Sequence, residues 1–159
     1  MDSNFHISHT IGQFDLIKTT SVFMYTGVKN DNMQNVFCKA SNWPGVTVES
    51  VSYSLNVRYP PPAIPPRITS SPSGFQYDNG TNVTLTCQQS GGNPVSTLSW
   101  NCKNTEMSSK NMSNSTEAIS VLELTIDVSF NEQECTCTAN HTLFSKPLSA
   151  KKLLTVFRK

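Results

Sequence analysis

Charge is scarce in this chain of 159 residues: Asp, Glu, Lys and Arg together make up 14%, with 12 basic against 11 acidic side chains. That near balance excludes the basic footprint of a nucleic-acid binder and offers nothing to an anionic membrane surface. No apolar run approaches the roughly 18 residues of a membrane helix, so direct membrane insertion by this segment is not expected. Met1 to Lys18 also lacks the charged-then-apolar pattern of a secretory leader. Glycine is thin, with 7 residues and none arranged as a phosphate-cradling loop. Histidine is limited to His6, His9 and His141, none with a Ser, Cys or carboxylate at catalytic-motif spacing. The acidic residues stand singly, so no carboxylate pair can serve as general acid and base. No catalytic residue, metal or cofactor is therefore expected, and His141 reads as a solvated loop residue.

What is abundant is Ser, Thr and Asn, beside a hydrophobic fraction of 36% that suffices for a modest core. Uncharged polarity of this kind suits a β-protein with a secreted surface. The chain also repeats itself. Ser120-Val121-Leu122-Glu123-Leu124-Thr125 matches Ser21-Val22-Phe23-Met24-Tyr25-Thr26 at an offset of 99 residues. At the same offset Asn131, Gln133, Cys137 and Ala139 fall on Asn32, Gln34, Cys38 and Ala40, and Ser149, Leu154 and Val156 fall on Ser50, Leu55 and Val57. The matches alternate, as buried strand faces require, and a period this long is that of a domain rather than of a solenoid. Met1 then lies opposite Trp100, so the first copy begins where the second is half finished.

Tyr59-Pro60-Pro61-Pro62-Ala63-Ile64-Pro65-Pro66 separates the copies. It reads as an extended polyproline spacer or as a Pro-rich edge opening the second copy. Beyond it come strand-period alternations: Val83, Leu85, Cys87; Leu98, Trp100, Cys102; Leu122, Leu124, Ile126; Cys135, Cys137, Ala139; Leu154, Val156. Turn residues punctuate them at Asp78-Asn79-Gly80 and Gly91-Gly92-Asn93-Pro94. Ser108 to Thr116 is polar and reads as a surface loop or ragged edge.

Cys87, Trp100 and Cys137, with Trp100 13 positions and Cys137 50 positions after Cys87, resemble an immunoglobulin domain of a cell-surface protein. The likeness extends from Pro65 to Phe157, and over Thr20 to Tyr59 as strands E, F and G of a preceding domain. Cys38-Lys39-Ala40-Ser41-Asn42, then Ser54-Leu55-Asn56-Val57 and Tyr59-Pro60-Pro61, resembles one such domain running into the next. The resemblance is to tandem C2- or I-type domains of nephrin-like and related adhesion receptors. It implies an all-β fold: a partial immunoglobulin-like domain over 1–59, a linker over 60–66 and a complete sandwich over 67–159. One departure stands out. Where such domains place Asp, Gly and Tyr before the second core cysteine, this chain has Asn131, Gln133 and Cys135, and the first copy has Asn32, Gln34 and Val36.

The resemblance implies a Cys87–Cys137 bridge between the sheets, with Trp100 packed on it as core. Strands C and F are neighbours in one sheet of such a domain, which brings Cys102 and Cys135 opposite each other for a second bridge. Two other readings of these thiols are four buried free cysteines in a cytosolic sandwich and a zinc site; a single Cys-x-Cys is poor zinc-ligand spacing. Cys38 is left over, its partner belonging to a strand B that this chain lacks. It is expected to be a free, partly uncovered thiol able to bridge between molecules. Residues before about 59 are expected to be poorly packed for want of a second sheet.

Five N-glycosylation acceptors, Asn79, Asn82, Asn111, Asn114 and Asn140, all lie in the second copy near turns or the polar loop. Their number is close to the roughly four that composition alone produces, so placement rather than count makes them candidates. The resemblance implies a non-catalytic extracellular binding module of an adhesion or immune-recognition receptor, in the ectodomain of a plasma-membrane protein whose leader and anchor lie outside this chain. Its partners are expected to be other cell-surface or extracellular proteins, with homophilic pairing among the options. Alternatives are a soluble secreted recognition protein and a structural domain of a matrix protein. The C, F and G strands and the turn Phe144-Ser145-Lys146-Pro147 are the candidate binding face, with core filling under the F–G turn as the slightly favoured alternative for Phe144.

Overall fold

The chain divides into two compact units, 1–57 and 58–159, and the computed structural model describes residues 4–42 and 45–157. Regular structure among the described residues is strand, apart from three single 3-10 turns.

In the N-terminal unit, β1 (Asn4–Ile11) and β2 (Ile17–Met24) form a hairpin in which Asn4 opposes Met24 and Ile11 opposes Ile17. Next come β3 (Asn35–Val36), β4 (Lys39–Asn42), β5 (Val46–Glu49) and β6 (Tyr53–Ser54), with β3 paired to β6 and β4 to β5. The strand β1 is additional to the three that the resemblance implies. No described side chain of this unit is buried.

The C-terminal unit contains β7 (Arg67–Ser71), β8 (Gln76–Asp78), β9 (Asn82–Ser90), β10 (Thr97–Cys102), β11 (Thr105–Met107), β12 (Lys110–Asn111), β13 (Glu117–Thr125), β14 (Gln133–Asn140) and β15 (Leu148–Phe157). They form one sheet of order β11-β10-β14-β15-β8 and another of order β12-β13-β9-β7. Pairing is antiparallel except that β8 runs parallel to the end of β15. The sandwich follows from the period-two pattern. Along β9, Val83, Leu85 and Cys87 point inward and are buried, while the intervening Thr84, Thr86 and Gln88 are half-exposed. On β13 Leu122 and Leu124 face them, and Ile126, Phe130, Leu154 and Val156 close the same core.

The proline stretch packs on this unit. Tyr59 pairs with Asn93, Pro61 and Pro66 are buried, and Gln89 Nε2 donates to the Ile64 carbonyl over 3.1 Å. Gly92 permits the approach: at its φ of +87° a Cβ would come within 2.9 Å of Pro61 Cδ. The polar segment Ser108 to Thr116, read above as a loop, carries the short strand β12 and two Asn-centred turns. The Asn111 Oδ1 accepts from Ser113 N and the Asn114 Oδ1 from Thr116 N, each over 2.9 Å.

Geometry repeats with sequence. The 3-10 turns Lys29–Asp31 and Val128–Phe130 stand at an offset of 99. Immediately after each, an asparagine side chain accepts a backbone N–H from the final strand region: Asn32 Oδ1 from Val57 N and Asn131 Oδ1 from Val156 N, both over 2.9 Å. Then a residue at positive φ, Met33 (68°) or Glu132 (56°), donates its N–H to the Leu55 or Leu154 carbonyl. Each turn is also capped by a carboxylate, but from different positions. Asp127 stands at the cap and accepts from Ser129 N over 2.7 Å, whereas Asp31 reaches back to Val28 N over 2.6 Å.

Candidate recognition surface

The centre of the C-terminal unit is covalent. Cys87 and Cys137 are joined between the sheets with α-carbons 6.4 Å apart. Cys102 and Cys135, directly opposed on β10 and β14, are joined with α-carbons 4.2 Å apart. Trp100 lies opposite Cys137 in the ladder and is fully buried. Both bridges face the interior because 100 and 102 share one side of β10, and 135 and 137 one side of β14. They leave the outer face of the five-stranded sheet to the intervening residues.

That outer face carries Ser99 and Asn101 of β10, Glu106 of β11, Glu134, Thr136 and Thr138 of β14, and Ser149, Lys151 and Leu153 of β15, as the paired registers dictate. Thr138 Oγ1 and Ser149 Oγ are 3.1 Å apart, and Lys151 Nζ lies 2.9 Å from Glu134 Oε2. The ion pair is solvated on both sides and contributes at most about 1 kcal/mol. Leu153 is 55% exposed between these polar groups. The face is thus hydroxyl-rich and nearly neutral, with Leu153 and, at the end of β15, Phe157 as its exposed apolar side chains.

At the β14 end lies an open hollow of about 330 Å³ lined by Pro94, Val95, Thr97, Asn140, His141 and Thr142. His141 is more than a solvated residue here. Its Nε2 is 2.9 Å from the Pro94 carbonyl and its Nδ1 accepts from Leu143 N over 3.1 Å, so the imidazole ties two loops together. Phe144 is half-buried, its ring 5.5 Å from that of His141, and it is not part of the core. Asn79, Asn82, Asn111, Asn114 and Asn140 are all exposed. Among the described residues no cluster of His, Cys, Asp or Glu is placed to hold a metal, and no helix is long and apolar enough to cross a membrane.

Two features escaped the sequence reading. Asn131 is a structural tie, and its recurrence as Asn32 was the available signal. Lys103 sits with Nζ 4.3 Å from the Phe130 ring and 2.7 Å from Ser129 Oγ, a contact that no local pattern announces. Ser129 in turn donates from its hydroxyl and its amide to Asp127, and these bonds, with Lys103 nearby, hold that carboxyl below its usual pKa. Cys38 is exposed and unbridged.

The family model described as "Immunoglobulin domain" matches residues 65–141. No curated protein matches the chain. Among solved structures, Rst D1-D2 superposes with a TM-score of 0.63 at 20% identity, covering 95% of this chain and 75% of that one. The full ectodomain (Ig1–Ig3) of mouse nectin-like molecule 4 gives 0.55 at 14%, covering 97% of this chain and 51% of that one. A chain of the complex of Dpr2 Ig1–Ig2 with DIP-Theta Ig1–Ig3 gives 0.50 at 17%, with 98% of this chain and 53% of that one covered. The chain therefore spans three quarters of the first of these and about half of the other two.

Proposed function

The C-terminal unit of this chain is an immunoglobulin domain, and on that premise we propose that the chain is a non-catalytic, extracellular protein-recognition module from a cell-surface adhesion or immune-recognition receptor. The observation that carries this reading is the outer face of the β11-β10-β14-β15-β8 sheet. It is rigid, held from beneath by two disulfides, and offers hydroxyl groups and one exposed leucine rather than a cleft. Surfaces of that kind bury a partner protein's flat face. Disulfides in the core fit an oxidising compartment. The neighbours named above include an immunoglobulin complex between two different proteins, Dpr2 and DIP-Theta, and the partner proposed here is likewise another extracellular protein.

The five exposed acceptor asparagines carry N-glycans in this reading. At Asn111 and Asn114 the side-chain oxygen is already engaged by backbone N–H groups, which leaves the Nδ2 toward solvent for the sugar. Asn111 lies in β12 and Asn114 just beyond it, at the edge of the sheet opposite the proposed face.

The test is a secreted, multimerised form of the chain screened against itself and against cell-surface ectodomains. Thr136→Arg with Leu153→Glu abolishes capture of any partner found, while Thr86→Arg on the other sheet leaves it intact. The reverse pattern refutes the assignment of the face.

A further inference from the structure

Asn140 is placed unlike the other acceptor asparagines. Asn82 Oδ1 accepts from Thr125 Oγ1 over 2.8 Å, Asn111 and Asn114 are engaged by their own turns, and Asn79 lies in the turn between β8 and β9. Of the five, Asn140 is the one that lines the hollow of about 330 Å³ at the end of β14. Strand alternation decides which way it faces. Ala139 is buried, so Asn140 stands with Thr138 and Thr136 on the outer side of β14, and Thr97, opposite it in the ladder, stands with Ser99 on the outer side of β10. The hollow therefore opens on that outer side.

The lining is mainly apolar, with Pro94 and Val95 from the loop before β10 and His141 from the loop after β14, and it contains no Lys, Arg or carboxylate. A charged ligand finds no counter-charge there. The His141 ring is fixed in advance, 2.9 Å from the Pro94 carbonyl through Nε2 and accepting the Leu143 N–H at Nδ1 over 3.1 Å, so the two loops are already tied across the hollow. A pyranose ring matches such a surface: it sets a face of C–H groups against an apolar wall and leaves its hydroxyl rim to water. The volume lies at the small end of the roughly 300 to 1,000 Å³ of small-molecule sites, which suits one sugar residue rather than a branched chain. We propose that the hollow is a carbohydrate subsite, and that its occupant is the first N-acetylglucosamine of the glycan on Asn140 itself. Covalent attachment to a lining residue fixes the source of the sugar. It also makes the contact intramolecular, so an interaction too weak to capture a free sugar suffices. The seated sugar bridges the same two loops as His141 and stabilises this end of the sandwich. The proposal rests on the glycosylation proposed above and needs no partner protein.

The experiment uses the whole chain, secreted from cells that add only high-mannose glycans and trimmed with endoglycosidase H to a single N-acetylglucosamine at each occupied site. Mass spectrometry reads the occupancy of Asn140. Thr142→Ala, which keeps Asn140 but destroys its acceptor motif, is prepared in the same way, and both proteins are also made without sugar in the bacterial periplasm. Thermal unfolding of the C-terminal unit is followed by Trp100 fluorescence in a Trp43→Phe background. The expected result is a Tm about 4 °C higher for the trimmed parent than for trimmed Thr142→Ala, and equal Tm values when neither carries sugar. Val95→Ser keeps the acceptor and removes part of the wall, so in that background Thr142→Ala no longer lowers the Tm of the trimmed protein. An unmodified Asn140 overturns the proposal together with the glycosylation on which it rests. A modified Asn140 with equal Tm values overturns the proposal alone. So does a shift that survives Val95→Ser, because the sugar then acts without the hollow.

Discussion

Removing either disulfide alone should cost nearly the same, although the loops they close differ. Considered separately, the loop of 50 residues closed by Cys87–Cys137 and the loop of 33 closed by Cys102–Cys135 correspond to about 4.1 and 3.7 kcal/mol of denatured-state entropy. In the native chain each bridge forms against the other. With one in place, the path left to close runs fifteen residues from Cys87 to Cys102 and two from Cys135 to Cys137. A ring of about 17 residues is worth about 3 kcal/mol, whichever bridge is the second. Both pairs lie in the core at no more than 1% exposure, so replacing two sulfurs by hydrogen adds a packing loss of about 1 kcal/mol in either case. Cys87→Ala/Cys137→Ala and Cys102→Ala/Cys135→Ala should each lose about 4 kcal/mol, a large part of a small domain's 5 to 15. The assay is a urea titration of the full chain carrying Trp43→Phe, so that fluorescence reports Trp100 beneath the bridges. A loss below about 1 kcal/mol for the within-sheet pair, or a gap above about 2 kcal/mol between the two variants, refutes the shared-ring reasoning.

Asn131→Ala strands the Val156 N–H that its side chain accepts, and should lower unfolding stability by about 1 to 2 kcal/mol in the same titration. Glu132, at a φ of +56°, tolerates Gly without loss, whereas Glu132→Val costs about 1 to 2 kcal/mol because a β-branched residue resists that conformation. The pKa of Asp127 is lowered, first by its hydrogen bonds to Ser129. Its stabilising effect is therefore present above the ordinary carboxyl pKa of about 3.9 and lost as pH falls through the depressed value. Asp127→Asn should flatten the acid limb of a stability-against-pH profile, and an unchanged limb would dismiss the cap. Limited proteolysis should cut the uncovered 1–57 unit well before the sandwich, and equal resistance of the two units would contradict the exposure of Phe23 and Tyr25.

The sandwich was legible because a fully closed core imposes period two on every strand that lines it. Val83, Leu85 and Cys87, or Leu122 and Leu124, announce both the strand and its buried side. What stayed hidden was pairing that leaves no apolar alternation. The parallel contact of β8 with β15 involves Gln76 and Asp78 at a sheet edge, and β12 is two polar residues, Lys110 and Asn111, held by backbone bonds alone. The recognition face was legible only as a remainder. Once the buried positions of β10, β14 and β15 are known, the residues between them must face water, but Ser99 or Thr136 says nothing by itself.

The most informative misfit between this chain and the immunoglobulin domains it resembles is the missing tyrosine corner, and the structure shows what stands there instead. The tyrosine's place is taken by Cys135, whose disulfide to Cys102 ties β14 to β10 covalently. The acidic residue's place is taken by Asn131, whose carboxamide accepts the Val156 N–H and so fixes the turn before β14 against β15. In the N-terminal unit Asn32 makes the same bond to Val57 although Val36 stands where Cys135 does. The asparagine tie therefore does not depend on the second disulfide. It persists where no described side chain is buried, so it does not depend on core packing: one carboxamide satisfies a backbone N–H across 25 residues of chain in both copies. The Cys102–Cys135 bridge belongs to the covered copy alone, where β10 is present to receive it.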